Sequence, residues 1–186
     1  MRRNKEKEEE GRVLFKIASH LLQYPDDGFR SSPEEWEGLL RDSPASAAAD
    51  KFRAFLKYLG ETPLLRRQEE YTRTFDFNPS TCLNLTYHRW GEGKERGGAL
   101  LSLKEIYLGA GYELTGGELP DFLPLILEFL ATVRGEEAGR VLKDYGSSVA
   151  ILAARLREQG SPYAGLLEGI QELFSGESDW QGGEDG

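Results

Sequence analysis

The sequence predicts an all-α protein, a single bundle-like domain of about eight or nine helices. Two observations lead to this fold class. Apolar residues recur at spacings of three and four along many stretches of the 186-residue chain, which is the period of an amphipathic helix. No stretch shows the apolar–polar alternation of a β-strand with comparable clarity, and a chain of this length can bury one core.

Glycine, proline and short polar turns divide the chain into these helices. The first begins at Gly11 and ends before Pro25, because proline disfavours helical geometry in the residue that precedes it. Residues 83–90 are short and aromatic and fit a helix or a strand, and we assign a helix because the neighbouring segments are helical. The other predicted helices lie around Trp36 and over 45–59, 62–75, 99–110, 116–133, 138–156 and 163–174.

The two ends of the chain differ in composition from the part between them. Residues 1–10 form a run of charges and are expected to fray. Residues 175–186 are rich in glycine, serine and acidic side chains and are expected to be disordered. Residues 11–174 are therefore predicted to form the helical domain.

The charge balance bears on the partners that this protein can bind. The net charge is -9 and the isoelectric point is about 4.9, which disfavours nucleic acid because phosphates attract clustered Lys and Arg. An acidic surface attracts a basic partner, although the same charge also serves solubility. No apolar run approaches the roughly 20 residues that a membrane-spanning helix needs. No apolar region follows Arg2-Arg3 either, so we expect a cytoplasmic protein without membrane insertion.

The residues that commonly build metal and catalytic sites are few. The one cysteine, Cys82, cannot form an intramolecular disulfide, and the two histidines, His20 and His88, occur in no zinc-binding motif. Cys82 and His88 are six positions apart, which places them on different sides of a helix rather than in a catalytic pair. A site built from carboxylates alone is left open, but the pattern predicts neither a metal site nor an enzyme.

A glycine-rich segment, 91–98, suggests an alternative function. It reads G-E-G-K-E-R-G-G, and Lys94 and Arg96 would meet the phosphates of a nucleotide or cofactor there. However, its spacing differs from the dinucleotide-binding fingerprint, no strand precedes it, and it lacks the Gly-Lys-Ser/Thr ending of a P-loop. The segment is therefore predicted to be a connecting loop, and a nucleotide- or cofactor-binding maturation factor is kept as the alternative.

The most apolar helical stretch, 116–133, is expected to organise the fold. Two apolar stripes run along it, more than one buried face requires, which fits a central helix covered on both sides. Asp121 and Glu128 are seven positions apart, nearly two helical turns, so the spacing predicts that both carboxylates project from one side. One flank is therefore predicted to line an apolar groove rimmed by carboxylates, which suits a short basic amphipathic helix. The first stripe holds Phe122, Leu125, Ile126, Phe129 and Val133, and the second holds Leu123, Leu127 and Leu130.

Five motifs occur in a fixed order along the chain. The most specific is E-L-P-D-F-L-P at 118–124, continued by L-I-L-E-F-L-A. The others are L-L-Q-Y-P at 21–25, Y-T-R-T-F-D at 71–76, the block 83–97, and S-P-Y-A at 161–164. Together they resemble the NarJ family of nitrate reductase assembly chaperones, within the wider TorD/DmsD group of redox-enzyme maturation proteins. The resemblance spans most of the chain, but Phe122 stands where the wider group often has histidine.

The resemblance implies an all-helical, TorD/NarJ-like cytoplasmic chaperone without catalytic activity. Such proteins bind the N-terminal peptide of the catalytic subunit of a respiratory molybdoenzyme, with nitrate reductase as the default client. They support insertion of molybdenum cofactor and iron–sulfur clusters into that client, bind no cofactor permanently, and have molybdenum cofactor biosynthesis proteins as further partners. A structural subunit that remains in the finished enzyme is a third possibility. The expected peptide-binding residues are Tyr71, Phe75, Asp76, Glu118, Leu119, Pro120, Asp121, Leu123, Pro124, Leu127 and Glu128.

Overall fold

The computed structural model of the chain describes residues 2–26, 33–42 and 46–176. Within these residues nine α-helices follow one another, and the all-α prediction is confirmed. They are α1 (Arg2–Leu21), α2 (Pro33–Asp42), α3 (Ala47–Glu61), α4 (Leu64–Tyr71), α5 (Tyr87–Trp90), α6 (Lys94–Gly109), α7 (Leu123–Thr132), α8 (Glu136–Glu158) and α9 (Ala164–Ser175). A π-helical turn, Thr72–Asp76, continues α4, and a 3-10 turn, Pro79–Thr81, follows it.

Helix α7 lies at the centre of the fold because it is apolar on nearly every side. Seven of its residues are buried, and Glu128 is its exposed charge. It packs most extensively against α1, while α8 and α3 pack against α9. A short helix of this composition cannot bury its apolar surface by itself, so the helices packed around it determine its position.

Two polar side chains of α1 attach it to both ends of α7. The Ser19 hydroxyl is buried and donates to the carbonyl oxygen of Pro124, 2.9 Å away. At the other end, Arg12 Nε donates to the carbonyl oxygen of Ala131 at 2.9 Å. That carbonyl belongs to the last turn of α7, where a helix has no backbone donors of its own to offer and where positive charge is favourable.

The predicted helix boundaries differ from the observed ones in four places. Helix α1 begins at Arg2, so helical backbone runs through the segment that was expected to fray. The helix predicted from residue 45 begins at Ala47, and residue 45 lies outside the described residues. The helix predicted to start at 116 begins at Leu123. Of the tail 175–186, predicted to be disordered, Ser175 is the last residue of α9 and Gly176 caps it, while residues 177–186 lie outside the described part of the chain.

The fourth difference concerns the segment 83–98. Residues 87–90 are helical, but Asn84 forms an isolated antiparallel bridge with Phe122, so neither a helix nor a strand describes the whole of 83–90. Helix α6 begins at Lys94, which shortens the predicted connecting loop to 91–93. The glycines at 97 and 98 lie inside α6, although glycine is a poor helix former.

The remaining long helices match their predictions. Helix α8 includes the predicted stretch 138–156, and α9 begins and ends within one residue of the predicted stretch 163–174. Among the helices that the structure describes, none is long and apolar enough to cross a membrane.

Candidate functional site

Two short segments, 82–86 and 119–123, pair with each other at the N-terminus of α7 through an isolated antiparallel bridge. The Leu85 amide donates to the carbonyl oxygen of Asp121 at 3.0 Å, and the Leu123 amide donates to the carbonyl oxygen of Leu83 at 2.8 Å. These bonds flank the bridge between Asn84 and Phe122. The pairing joins regions almost forty positions apart and fixes the base on which the candidate site is built.

The side chain of Asp121 holds this pairing together from the inside. Its exposed fraction is 0%. Oδ1 accepts a hydrogen bond from Asn84 Nδ2 at 3.0 Å, and Oδ2 accepts from the Thr86 amide at 3.1 Å and from the Thr86 hydroxyl. The guanidinium of Arg96 lies 3.7 Å from Oδ2 and also donates from Nε to the Thr86 hydroxyl at 3.0 Å. The buried negative charge therefore has both a counter-ion and several donors, as a buried charge requires.

The prediction that Asp121 projects beside Glu128 is wrong. Helix α7 begins at Leu123, so Asp121 is not on the helix and the helical spacing does not apply to it. Glu128 is exposed while Asp121 is fully buried. Asp121 consequently cannot rim a groove, and its carboxylate serves the scaffold beneath it.

The rest of the motif around Asp121 is partly held and partly exposed. The Tyr107 hydroxyl donates to the carbonyl oxygen of Pro120 at 2.9 Å, which anchors the turn before Asp121 to α6. Glu118 is exposed, and Leu119 is 44% exposed, a large fraction for a leucine. The motif thus combines a fixed interior with side chains available at the surface.

One cavity, which we call the aromatic cavity, opens above the paired segments and has a volume of about 540 Å³. Tyr71 and Phe75 contribute aromatic rings whose centroids are 5.0 Å apart and whose planes meet at 65°. The Tyr71 hydroxyl donates to the carbonyl oxygen of Leu22 at 3.1 Å. The π-helical turn places Phe75 and Asp76 on this wall. The cavity is lined by Gln23, Tyr24, Tyr71, Phe75, Asp76, Cys82, Leu83, Asn84, Glu118 and Phe122.

A second cavity, which we call the α7 cavity, has a volume of about 520 Å³ and lies beside the first. The two share Gln23, Glu118 and Phe122, so they adjoin each other, and we refer to the pair of cavities as the groove. The wall opposite α7 is the segment 111–116. The α7 cavity is lined by Gln23, Gly111, Tyr112, Glu113, Leu114, Thr115, Gly116, Glu118, Phe122, Pro124, Leu125 and Glu128.

The groove is acidic along its whole length. Asp76, Glu113, Glu118 and Glu128 are exposed at its edges. Among the described residues that line either cavity, none is Lys, Arg or His. Burial and the neighbouring carboxylate of Glu128 raise the pKa of Tyr112 to about 12, so this phenol stays neutral beside the carboxylate. The groove therefore offers an apolar floor with negative edges.

A half-buried imidazole, that of His88, contacts the backbone of Cys82, a residue that lines the aromatic cavity. His88 Nε2 lies 2.8 Å from the carbonyl oxygen of Cys82, and Nδ1 lies 3.0 Å from Nη1 of Arg155, which also donates to the carbonyl oxygen of Ser80 at 2.9 Å. A carbonyl can only accept and a guanidinium can only donate, so the neutral imidazole with its proton on Nε2 satisfies both neighbours. His88 thus contacts the backbone carbonyl of Cys82.

Acid should therefore destabilise the fold through His88. Burial and the charge of Arg155 hold its pKa below the ordinary value of 6.5, although the bond to Cys82 partly opposes them. Because the unfolded chain binds this proton more readily, the contribution of His88 to stability should fall as the pH drops below about 6.5.

NMR titration of the imidazole protons would measure this effect. The His88 midpoint should lie below 6.5 in the folded protein and return to the ordinary value in urea. A folded-state midpoint at or above the urea value would contradict the assignment of the neutral ring.

The groove brings together several of the residues predicted to bind peptide. Tyr71, Phe75, Asp76 and Glu118 line the aromatic cavity, while Glu118, Pro124 and Glu128 line the α7 cavity. Leu119 and Pro120 adjoin Glu118 but line neither cavity. Their role in binding stays a prediction.

Leu123 and Leu127 are different because both have exposed fractions of 0%. They belong to the core side of α7, and a groove occupant would not reach them in this structure. Lys94 is exposed at the start of α6. The part of segment 91–98 that carries Lys94 and Arg96 is thus the first turn of α6, and Arg96 is engaged with Asp121 and Thr86.

Sequence reasoning missed other parts of the groove. Gln23, Tyr24, Asn84 and Tyr112 were not proposed as binding residues, and they come from three distant parts of the chain. Tyr24 carried a usable sequence signal, since it belongs to the motif 21–25, and the structure leaves it 47% exposed beside Tyr71. Asn84 carried a comparable signal, since it belongs to the block 83–97. Within the described residues no group of three or more His, Cys, Asp or Glu side chains is arranged to hold a metal ion.

The sequence matches a family model and is similar to two bacterial proteins. A family model described as the nitrate reductase delta subunit matches residues 41–168. A Bacillus subtilis protein described as the nitrate reductase molybdenum cofactor assembly chaperone NarJ is 38% identical over 155 residues, covering 83% of this chain and 84% of that protein. NarJ of Escherichia coli, also described as such a chaperone, is 36% identical over 159 residues, covering 84% and 67%.

The fold is also similar to a solved structure. A crystal structure described as that of a redox enzyme maturation protein from Archaeoglobus fulgidus superposes with a TM-score of 0.65 and covers 88% of this chain and 93% of that one. The sequences are 21% identical, so this likeness supports the fold. The two relatives from Bacillus subtilis and Escherichia coli are both described as assembly chaperones.

Proposed function

This chain belongs to the nitrate reductase delta subunit family, and from that premise we propose that it is an assembly chaperone of a nitrate reductase-like molybdoenzyme. It binds the N-terminal peptide of the catalytic subunit in the groove, in the cytoplasm. It holds that subunit competent while the molybdenum cofactor and iron–sulfur clusters are inserted. The observation that carries the proposal is a groove of two adjoining cavities with an apolar floor and acidic edges.

The shape and chemistry of the groove fit a helix-in-groove mode of recognition. Tyr24, Phe122 and Leu125 are at least partly exposed and can meet the apolar face of an amphipathic helix, while Tyr71 and Phe75, each 5% exposed, lie behind them. The carboxylates at the edges face the Lys or Arg side chains of that helix. Burying apolar area is worth about 25 cal/mol per Å², so three or four anchors contribute several kcal/mol before ordering costs are subtracted. The resulting affinity is in roughly the micromolar range, which suits a chaperone that must release its client.

The acidic edges should control the rate and orientation of binding. Glu118→Lys combined with Glu128→Lys should weaken binding of the client's N-terminal peptide by about tenfold at low salt, because attraction to basic side chains becomes repulsion. The control is Glu92→Lys combined with Glu105→Lys, two exposed carboxylates outside the groove with the same change in net charge. Isothermal titration calorimetry at two salt concentrations would measure both.

The control separates local from general electrostatics. Equal losses in the two double variants would show that net charge alone attracts the peptide. Unchanged affinity in the groove variant would remove the acidic edges from the mechanism. If the unmodified protein binds no N-terminal peptide, the proposed function itself fails.

Two further measurements test the role in assembly. A molybdoenzyme catalytic subunit encoded beside this gene would identify the client, and that subunit should contain less molybdenum when made without the chaperone. The purified mature enzyme should lack this chain. A fixed one-to-one stoichiometry in the mature enzyme would instead support a permanent structural subunit.

A further inference from the structure

Phe122 stands at the junction of the two cavities. It lines both of them, together with Gln23 and Glu118. Its ring packs partly against the core and remains partly exposed, unlike Leu123 next to it. An aromatic side chain in this position interrupts the floor of the groove.

The backbone that carries this ring is held on both sides. The Phe122 amide donates to the carbonyl oxygen of Leu119 at 3.1 Å, and the residue pairs with Asn84 across the antiparallel bridge. Its own carbonyl accepts from the amides of Leu125 and Ile126, at 2.9 and 3.1 Å, in the first turn of α7. The buried carboxylate of Asp121 immediately precedes it. The ring therefore projects from one of the most constrained positions of the site, and an occupant cannot displace it by moving the backbone.

The two cavities have matching chemistry on either side of the ring. The aromatic cavity has an apolar floor with Asp76 at its outer edge, and the α7 cavity has Leu125 with Glu128 at its outer edge. Their volumes are nearly equal, at about 540 and 520 Å³. Glu118 faces both. The groove is thus two similar apolar half-sites separated by one ring.

We infer that Phe122 is a specificity-determining divider that selects peptides with two apolar anchors about two helical turns apart. This inference rests on the proposed function, since it concerns the occupant of the same groove. One anchor fills the aromatic cavity and the other fills the α7 cavity. A basic side chain between them meets Glu118.

The spacing follows from contact distances. Each anchor must stay about 4 Å from the atoms of the ring, so the two anchors are at least roughly 8 Å apart along the peptide. A helix rises 1.5 Å per residue, so side chains four positions apart are separated by about 6 Å, which is too short. Side chains seven positions apart are separated by about 10.5 Å and lie on the same face of the helix.

Two model peptides of identical composition test this rule. Each is a lysine-containing alanine helix of about 16 residues, long enough to retain helicity, with two leucines placed either seven or four positions apart. Calorimetry with the unmodified protein should show about tenfold tighter binding of the peptide with the wider spacing, because only that peptide buries both leucines.

Substitutions of two phenylalanines complete the design. Phe122→Ala joins the two cavities, so the preference for the wider spacing should fall to about twofold or less. Phe77→Ala removes a phenylalanine that is 80% exposed and lines neither cavity, so this control should keep the full preference. Phe122→Leu keeps a smaller side chain on the same backbone, so its preference for the wider spacing should lie between those of the unmodified protein and Phe122→Ala. This variant serves as the test if the alanine variant folds poorly.

Each result has a distinct meaning. A preference that is absent in the unmodified protein, or that survives in Phe122→Ala, overturns the divider. If neither model peptide binds while the client's N-terminal peptide does, the two-anchor rule is overturned and the proposed function stands. If the client peptide also fails to bind, the proposed function falls with it.

Discussion

Replacing Asp121 by alanine should lower the free energy of unfolding by about 3–5 kcal/mol. The carboxylate is 0% exposed. Its loss would leave the backbone amide and hydroxyl of Thr86 and the side-chain amide of Asn84 without their acceptor. The guanidinium of Arg96 would lose its counter-ion. The unsatisfied buried donors contribute to the expected loss, together with the lost counter-ion of Arg96, whose side chain is 21% exposed. Urea denaturation at neutral pH would measure it.

Asp76→Ala is the matched control for this substitution. Asp76 is an exposed aspartate at the edge of the aromatic cavity, and its removal should change the free energy of unfolding by less than about 0.5 kcal/mol. The two variants should therefore separate the scaffold from the groove edge. A loss below about 1 kcal/mol for Asp121→Ala would show that water or other groups replace the carboxylate easily.

Replacing Leu127 by alanine should lower the free energy of unfolding by about 2–5 kcal/mol, through lost burial and the cavity that remains. Its side chain is 0% exposed on the core side of α7. At a temperature where the variant stays folded, its affinity for the client peptide should be unchanged. Denaturation and calorimetry on the same sample would measure the two effects.

Leu125→Ala should show the opposite balance. Leu125 is partly buried and lines the α7 cavity, so its truncation should cost less stability and weaken peptide binding. If Leu127→Ala instead weakened binding while leaving stability intact, α7 would have to rotate or open when the peptide binds.

These expectations place the motif around Asp121 in two roles. Its buried part joins segments 82–86 and 119–123 and thereby fixes the start of α7. Its exposed part, Glu118, faces both cavities. A groove that recognises a flexible peptide gains affinity when its own walls are already ordered, because less conformational entropy is lost on binding.

Most of the helices could be predicted because their signals are local. The apolar period of α8 and the Ser-Pro start before α9 require no knowledge of the rest of the chain. The same local reasoning failed at α6, where glycines at 97 and 98 suggested a loop. That helix is stabilised by contacts made elsewhere, including those of Leu103, Ile106 and Tyr107 with the core.

The sequence by itself determined the helical class, the acidic character, the order of the motifs and the central place of the stretch 116–133. Only the tertiary structure decided that Asp121 is buried, that Leu123 and Leu127 belong to the core, and that Phe122 stands between two cavities. The physical reason is the range of the interactions. A helical period arises between residues three or four positions apart, whereas the pairing of Asn84 with Phe122 and the walls of the groove depend on segments that are distant in the chain.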